Sequence, residues 1–241
     1  MSKILLIDDE SNAGWSTVLF KVLFPNDEFN SVADRASASE HLKSKKYDLI
    51  FLDIRFGEKD HRDFLPLNQF EGFKILTNDI RGNFTLKNFT TPVIVFTASN
   101  KIWNIDGMKN IGADGYYCKE HPDNAGDVEF SVQNFEHLKK EVSRLLELGA
   151  KRLKVWQQII GIEKATRKSI KNQIIKNRIF AKLKMGYGLL FRTLTQFEKE
   201  QLLFNNESIS FIVFWSILEE IACDFIPNRD EQGDYIIRQN D

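Results

Sequence analysis

Four places in this chain carry side chains that could do chemistry, and each comes directly at the end of a short apolar run. Asp8 and Asp9 follow Lys3-Ile4-Leu5-Leu6-Ile7, Asp53 closes Leu49-Ile50-Phe51-Leu52, Thr97 ends Val93-Ile94-Val95-Phe96, and Lys119 follows Gly115-Tyr116-Tyr117-Cys118. Short apolar runs bounded by polar sequence are the pattern of strands buried on both faces of a sheet. The carboxyl ends of such strands are where open α/β sheets gather their functional groups. Three carboxylates meeting there would form a cluster of oxygens suited to Mg2+. A carboxylate can also attack a phosphoryl group to give an acyl phosphate. A lysine then offers a point charge to the phosphoryl oxygens, and a threonine offers a hydroxyl. Singly, each residue has an ordinary reading: helix caps for Asp8 and Asp9, a turn former for Asp53, a strand residue for Thr97, a solvated charge for Lys119. Their recurrence in order, strand end after strand end, singles them out.

The elements that must position these residues can be read along the chain. Lys3 to Ile7 is a first strand, followed by an amphipathic helix on which Trp15, Val18, Leu19, Val22 and Leu23 recur at three- and four-residue spacing. Phe29 to Ala33 is a weaker strand and Ser37 to Lys45 a short helix. Strand three ends at Asp53, and a polar stretch from Arg55 to Gln69 precedes a helix from Phe70 to Ile80. Strand four runs from Pro92 to Thr97, and a helix leads on to Ile111. Strand five ends at Lys119, and a helix from Phe130 to Leu148 stops at Gly149. Five strands alternating with five helices predict a doubly wound parallel sheet, joined by right-handed connections.

Here the sequence resembles the receiver domain of two-component response regulators, in the segments LLIDDE, DLIFLD, EGFKIL, PVIVFTA and GADGYYCK. The resemblance covers roughly residues 1–150. It implies a flavodoxin-like sheet of order 2-1-3-4-5, Asp53 as phospho-acceptor, and Mg2+ held by Asp8, Asp9, Asp53 and the backbone carbonyl of Arg55. It further implies that Thr97 and Lys119 bind the phosphoryl oxygens and that Tyr116 swings inward when Thr97 moves. The partner would be a sensor histidine kinase or phosphotransfer protein, and the protein would be a phospho-acceptor with at most slow self-dephosphorylation, not an enzyme. A haloacid-dehalogenase-type phosphatase would want a second aspartate two residues after its nucleophile, where this chain has Glu10. Two departures stand out. Glu120 follows Lys119 where the family usually has proline, and Pro122 comes two residues later. Gly72, a family glycine, lies about ten residues further from the acceptor than usual, which marks an insertion within 55–69. A second expansion spans Gly82 to Thr91.

Charge marks a boundary near Ala150. Residues 151–184 carry 11 basic residues against one acidic, whereas 186–241 carry 4 basic and 10 acidic. The division expected is a receiver domain over 1–149 and a helical output or dimerisation domain over 150–241. In the second half Leu153, Trp156, Ile159 and Ile160 continue a helical stripe that can extend the fifth helix. Ile170, Ile174, Ile175, Ile179 and Leu183 form another stripe, and Gly186-Tyr187-Gly188 reads as a break. Leu189 to Phe204 and Ile209 to Phe225 read as two further helices, the last apolar nearly all round and therefore central and buried. The basic segment 151–184 leaves open a DNA-binding transcriptional regulator, although no helix-turn-helix is evident. A phosphorylation-independent scaffold and a homodimer are further alternatives. No histidine occurs after His137, which removes histidine-based nucleases, phosphatases and phosphotransfer from the second half. No apolar run approaches the ~20 residues of a membrane span. Two cysteines without zinc or CxxC spacing fit a reducing cytoplasm.

Overall fold

The computed structural model describes residues 1–11, 16–17, 19–55, 65–82, 85–98, 102–119, 128–195 and 206–224. Trp15, Val18 and most of the charged insertion after Arg55 lie outside them. The chain divides into two compact units, Met1–Leu153 and Lys154–Asp241.

In the first unit β1 (Lys3–Ile7), β2 (Glu28–Val32), β3 (Leu49–Leu52), β4 (Val93–Thr97) and β5 (Gly115–Cys118) form one parallel sheet in the order β2-β1-β3-β4-β5. This is the flavodoxin-like receiver order. The three central strands are continuous apolar runs because both of their faces are covered. Leu5, Ile7, Ile50, Leu52, Val93 and Val95 pack on one side, and Ile4, Leu6, Leu49, Phe51, Ile94 and Phe96 on the other. The covering helices are α1 (Leu19–Leu23, wound as a π-helix), α2 (Arg35–Ser44), α3 (Glu71–Lys74, continuing as a π-helix over Ile75–Ile80), α4 (Ile102–Asn110) and α5 (Val128–Ser169). Asp34 caps α2 by accepting the Ser37 amide at 2.8 Å, which satisfies a donor the helix start would leave open. Past the end of α4, Gly112 takes a positive φ of 102° while its amide and that of Ala113 return to the carbonyls of Lys109 and Met108. That left-handed turn suits glycine and leads straight into β5.

The second expansion is tied into the core where it is described. Asn88 is fully buried; it accepts the Tyr47 amide at 2.8 Å and donates to the carbonyls of Leu42 and Lys45. Arg81 donates to the carbonyls of Phe89, Thr91 and Gly112 and pairs with Asp114 at 2.9 Å. Lys46 donates to the hydroxyls of Thr90 and Thr91. Burial, reinforced by the charges of Arg81 and Arg152, pulls the Lys46 amine down to about 7.

The helix predicted to stop at Gly149 runs on to Ser169. Glycine was read there as a terminator, but a Cβ at Gly149 would meet Pro92 at 2.8 Å. The position is a close approach between α5 and the start of β4. One turn further on, Arg152 is fully buried and pairs with Asp114 at 2.5 Å.

In the second unit α6 (Gln173–Thr195) passes unbroken through Gly186-Tyr187-Gly188, so the predicted break is absent. Gly186 faces Phe214, which would stand 2.8 Å from a Cβ there; nothing in the structure explains Gly188. Lys182 donates to the Ser216 carbonyl and pairs with Glu220 at 2.9 Å, so α6 and α7 (Asn206–Asp224) pack antiparallel. α7 is not the buried helix its composition predicts. Ile217 and Ser210 are buried, whereas Phe211, Ile212, Trp215 and Leu218 are exposed. Among the described residues no helix is long and apolar enough to cross a membrane.

Candidate functional site

The ladder hydrogen bonds that close the sheet also set the functional side chains level. Ile7 pairs with Leu52 and with Val32, and Thr97 with Cys118. One residue further on, the Asp8 amide donates to Val32, that of Asp53 to Ile7, and that of Lys119 to Thr97, at 2.9–3.0 Å. Asp8, Asp53 and Lys119 are thereby fixed at the same edge by their own main chains.

Their side chains converge. Asp8, Asp9 and Asp53 offer carboxylate oxygens within 4.8 Å of one another. The Lys119 ammonium stands 2.5 Å from Asp8 and 2.8 Å from Asp53, over the face of Phe96 at 5.1 Å. Asp8, Asp53, Thr97 and Lys119 are all buried, and Asp9 is half-buried. Lys119 reaches the carboxylates although Glu120 follows it, and among the described residues no peptide bond is cis. The Arg55 amide donates to Asp53 at 3.2 Å, folding the loop back over the carboxylate, while its guanidinium lies over Phe70. Tyr116 sits on β5 opposite Val95, half-buried against the core and apart from the carboxylate cluster. Burial, with a hydrogen bond to Cys118, pushes its hydroxyl well above the ordinary tyrosine value.

The sequence pointed to Gly72 only through the family pattern; the structure supplies its physical reason. A Cβ there would lie 2.0 Å from the Asp53 carbonyl oxygen and 2.8 Å from Ile54. Only a residue without a side chain lets α3 close beneath the Asp53 loop. Phe96, beneath Lys119, was not singled out, since an apolar strand residue carries no signal of the charge it will face.

The electrostatics fit a divalent cation. One ammonium faces three carboxylates, two of them buried. Burial pushes the Asp53 carboxyl up to about 6, against the pull of Lys119 and with the help of Asp8. Like charges crowded out of water favour protonation, or a bound cation that removes the repulsion. Oxygen-only donors suit Mg2+.

A pH dependence follows. A carboxyl that is more basic folded than unfolded stabilises the fold while it holds its proton, and that contribution is lost as pH rises through its folded value. Without divalent cations, the unfolding free energy of wild type relative to Asp53→Asn should fall by about 2 kcal/mol between pH 3.8 and about 6. Saturating Mg2+ should restore most of it above pH 6. Urea denaturation of both proteins across this range, with and without Mg2+, measures the effect.

No family model matches the chain. Among curated proteins it is similar to the transcriptional regulatory protein CiaR of Streptococcus pneumoniae, at 31% identity over 119 residues. The match covers 49% of this chain and 45% of CiaR, so the chain spans under half the length of that relative. Among solved structures it is similar to the response regulator TrrA of Thermotoga maritima in complex with Mg2+-BeF, at 23% identity and a TM-score of 0.42, over 60% of this chain and 99% of that one. It is also similar to the signal receiver domain of a DNA-binding response regulator from Colwellia psychrerythraea, at 22% identity and a TM-score of 0.45, over 61% and 99%. The amino-terminal unit has the flavodoxin-like sheet order of receiver domains, and the sequence similarity to CiaR is confined to 119 residues.

Proposed function

We propose that this protein is a response regulator that accepts a phosphoryl group on Asp53. The observation that carries this reading is the convergence of Asp8, Asp9 and Asp53 on one another, with Lys119 spanning Asp8 and Asp53. Asp8, Asp9, Asp53 and the Arg55 carbonyl would hold Mg2+, which would neutralise charge on the incoming phosphoryl oxygens. An Asp53 oxygen would attack phosphorus; the bond from phosphorus to the donor nitrogen or oxygen breaks, and the donor leaves with that electron pair. Lys119 is already within reach and would exchange its contact with Asp53 for a phosphoryl oxygen. The Thr97 hydroxyl, on the adjoining strand end, would donate to the same group, and Tyr116 would follow it inward. The donor would be a sensor histidine kinase or a phosphotransfer protein. CiaR is named a transcriptional regulatory protein. A role in transcription would need a nucleic-acid contact from the basic segment 151–184, and it ranks second because no recognition motif accompanies that charge.

Incubation with acetyl phosphate and Mg2+, read by intact mass, tests the proposal. The protein should gain one phosphoryl group with Mg2+ present and essentially none in excess chelator. Equal uptake in both conditions would remove the cation from the account.

A further inference from the structure

One face of α7 is built to be covered. Phe211, Trp215, Leu218 and Ala222 recur at spacings of four, three and four residues, which sets them in a single line on a helix. Phe211, Trp215 and Leu218 are 66%, 55% and 56% exposed, and Ile212 beside them is 65% exposed. The rings of Phe211 and Trp215 stand 6.2 Å apart, one stacked along the helix from the other. Next to this line runs an apolar groove of about 620 Å3 between α5 and α7, walled by Ile162, Ala165, Ile170, Phe214 and Ile221. The opposite side of α7 is occupied by α6, so the exposed line is not the face that holds the second unit together.

We infer that this face pairs with the same face of a second copy of the chain, through a two-fold axis near Trp215. Two observations favour that occupant. The surface carries projecting rings and a groove side by side, so two copies related by a two-fold axis can each seat a ring in the other's groove; an isologous interface requires such self-complementarity. The area suffices. Side chains of roughly 150–250 Å2 for the aromatics, more than half exposed, leave on the order of 400–500 Å2 uncovered per copy. Two such faces with their groove walls pass the roughly 1,000 Å2 that a specific interface needs. α7 contains no lysine or arginine but four acidic residues. The same absence of basic residues on α7 disfavours an anionic membrane surface, which needs cations flanking the apolar face. This pairing does not depend on the role of Asp53.

Sedimentation or light-scattering mass of the full, unphosphorylated chain at micromolar concentration tests it. Wild type should weigh twice 28.0 kDa. Trp215→Glu and, separately, Phe211→Glu should weaken dimerisation at least ~30-fold, as expected for a central aromatic contact, with helicity by circular dichroism unchanged. Both positions are exposed in the single chain, so its fold should survive. A wild-type mass of 28.0 kDa would overturn the pairing and leave the face to another occupant, such as residues 225–241. A dimer that persists in both folded variants would overturn it equally, by placing the contact elsewhere.

Discussion

Asp53→Asn should abolish phosphoryl uptake from acetyl phosphate in Mg2+ while leaving the protein folded. The amide keeps the shape of the side chain but is a far weaker nucleophile than a carboxylate, and it removes one of three clustered anions. Stability separates lost chemistry from lost structure. The wild-type carboxyl is buried and pushed up to about 6. At neutral pH and without metal it therefore carries an unfavourable charge that the variant lacks. The variant should unfold at the same or a higher urea concentration than wild type in the absence of divalent cations. Phosphoryl uptake that survives in a folded Asp53→Asn protein would move the acceptor elsewhere.

The second large effect lies far from the site. Asp114→Ala should destabilise the first unit by about 3–5 kcal/mol, because it strands the charges of two buried guanidinium groups. Asp114 is fully buried, bridges Arg81 at 2.9 Å and Arg152 at 2.5 Å, and accepts the Val93 amide at the start of β4. Arg81 in turn holds the carbonyls of the second expansion. Losing Asp114 therefore loosens β4, that loop and the Arg152 turn of α5 together. Asp114→Asn, which keeps an acceptor for Val93 but not the charge, should fall between wild type and alanine. Urea denaturation monitored by circular dichroism measures both, and an alanine variant within 1 kcal/mol of wild type would show that Asp114 is not the centre of this network.

The reach of the sequence can be judged at particular residues. Strands β3 and β4 were legible because both faces are buried, so every residue of Leu49–Leu52 and Val93–Thr97 is constrained and the apolar run has no gaps. Asp8 and Asp53 were legible for a related reason: each is the first polar residue after such a run, and ladder bonds fix it there; Lys119 is fixed in the same way after β5, where Tyr116 and Cys118 are only half-buried. Gly149 and Gly186 were misread as interruptions. Glycine in a helix costs ~1 kcal/mol relative to alanine, and sequence alone shows that cost. It does not show Pro92 or Phe214 occupying the space a Cβ would need. The Asp114–Arg152 pair spans 38 residues and left no local pattern, so the stripe from Leu153 to Ile160 was the sign that α5 continues past Gly149. α7 failed in the opposite sense. Its composition predicted burial within one chain, and Phe211 and Trp215 lie on a face that the single chain leaves open.

The most direct measurement of the central claim is the residue that carries the phosphoryl group. An acyl phosphate on aspartate is reduced by borohydride to homoserine, which marks the acceptor permanently for peptide mass spectrometry. After treatment with acetyl phosphate and Mg2+, homoserine should appear at position 53 and at neither Asp8 nor Asp9. Homoserine at another carboxylate, or none at all in protein whose intact mass shows the added phosphoryl group, would contradict Asp53 as the acceptor.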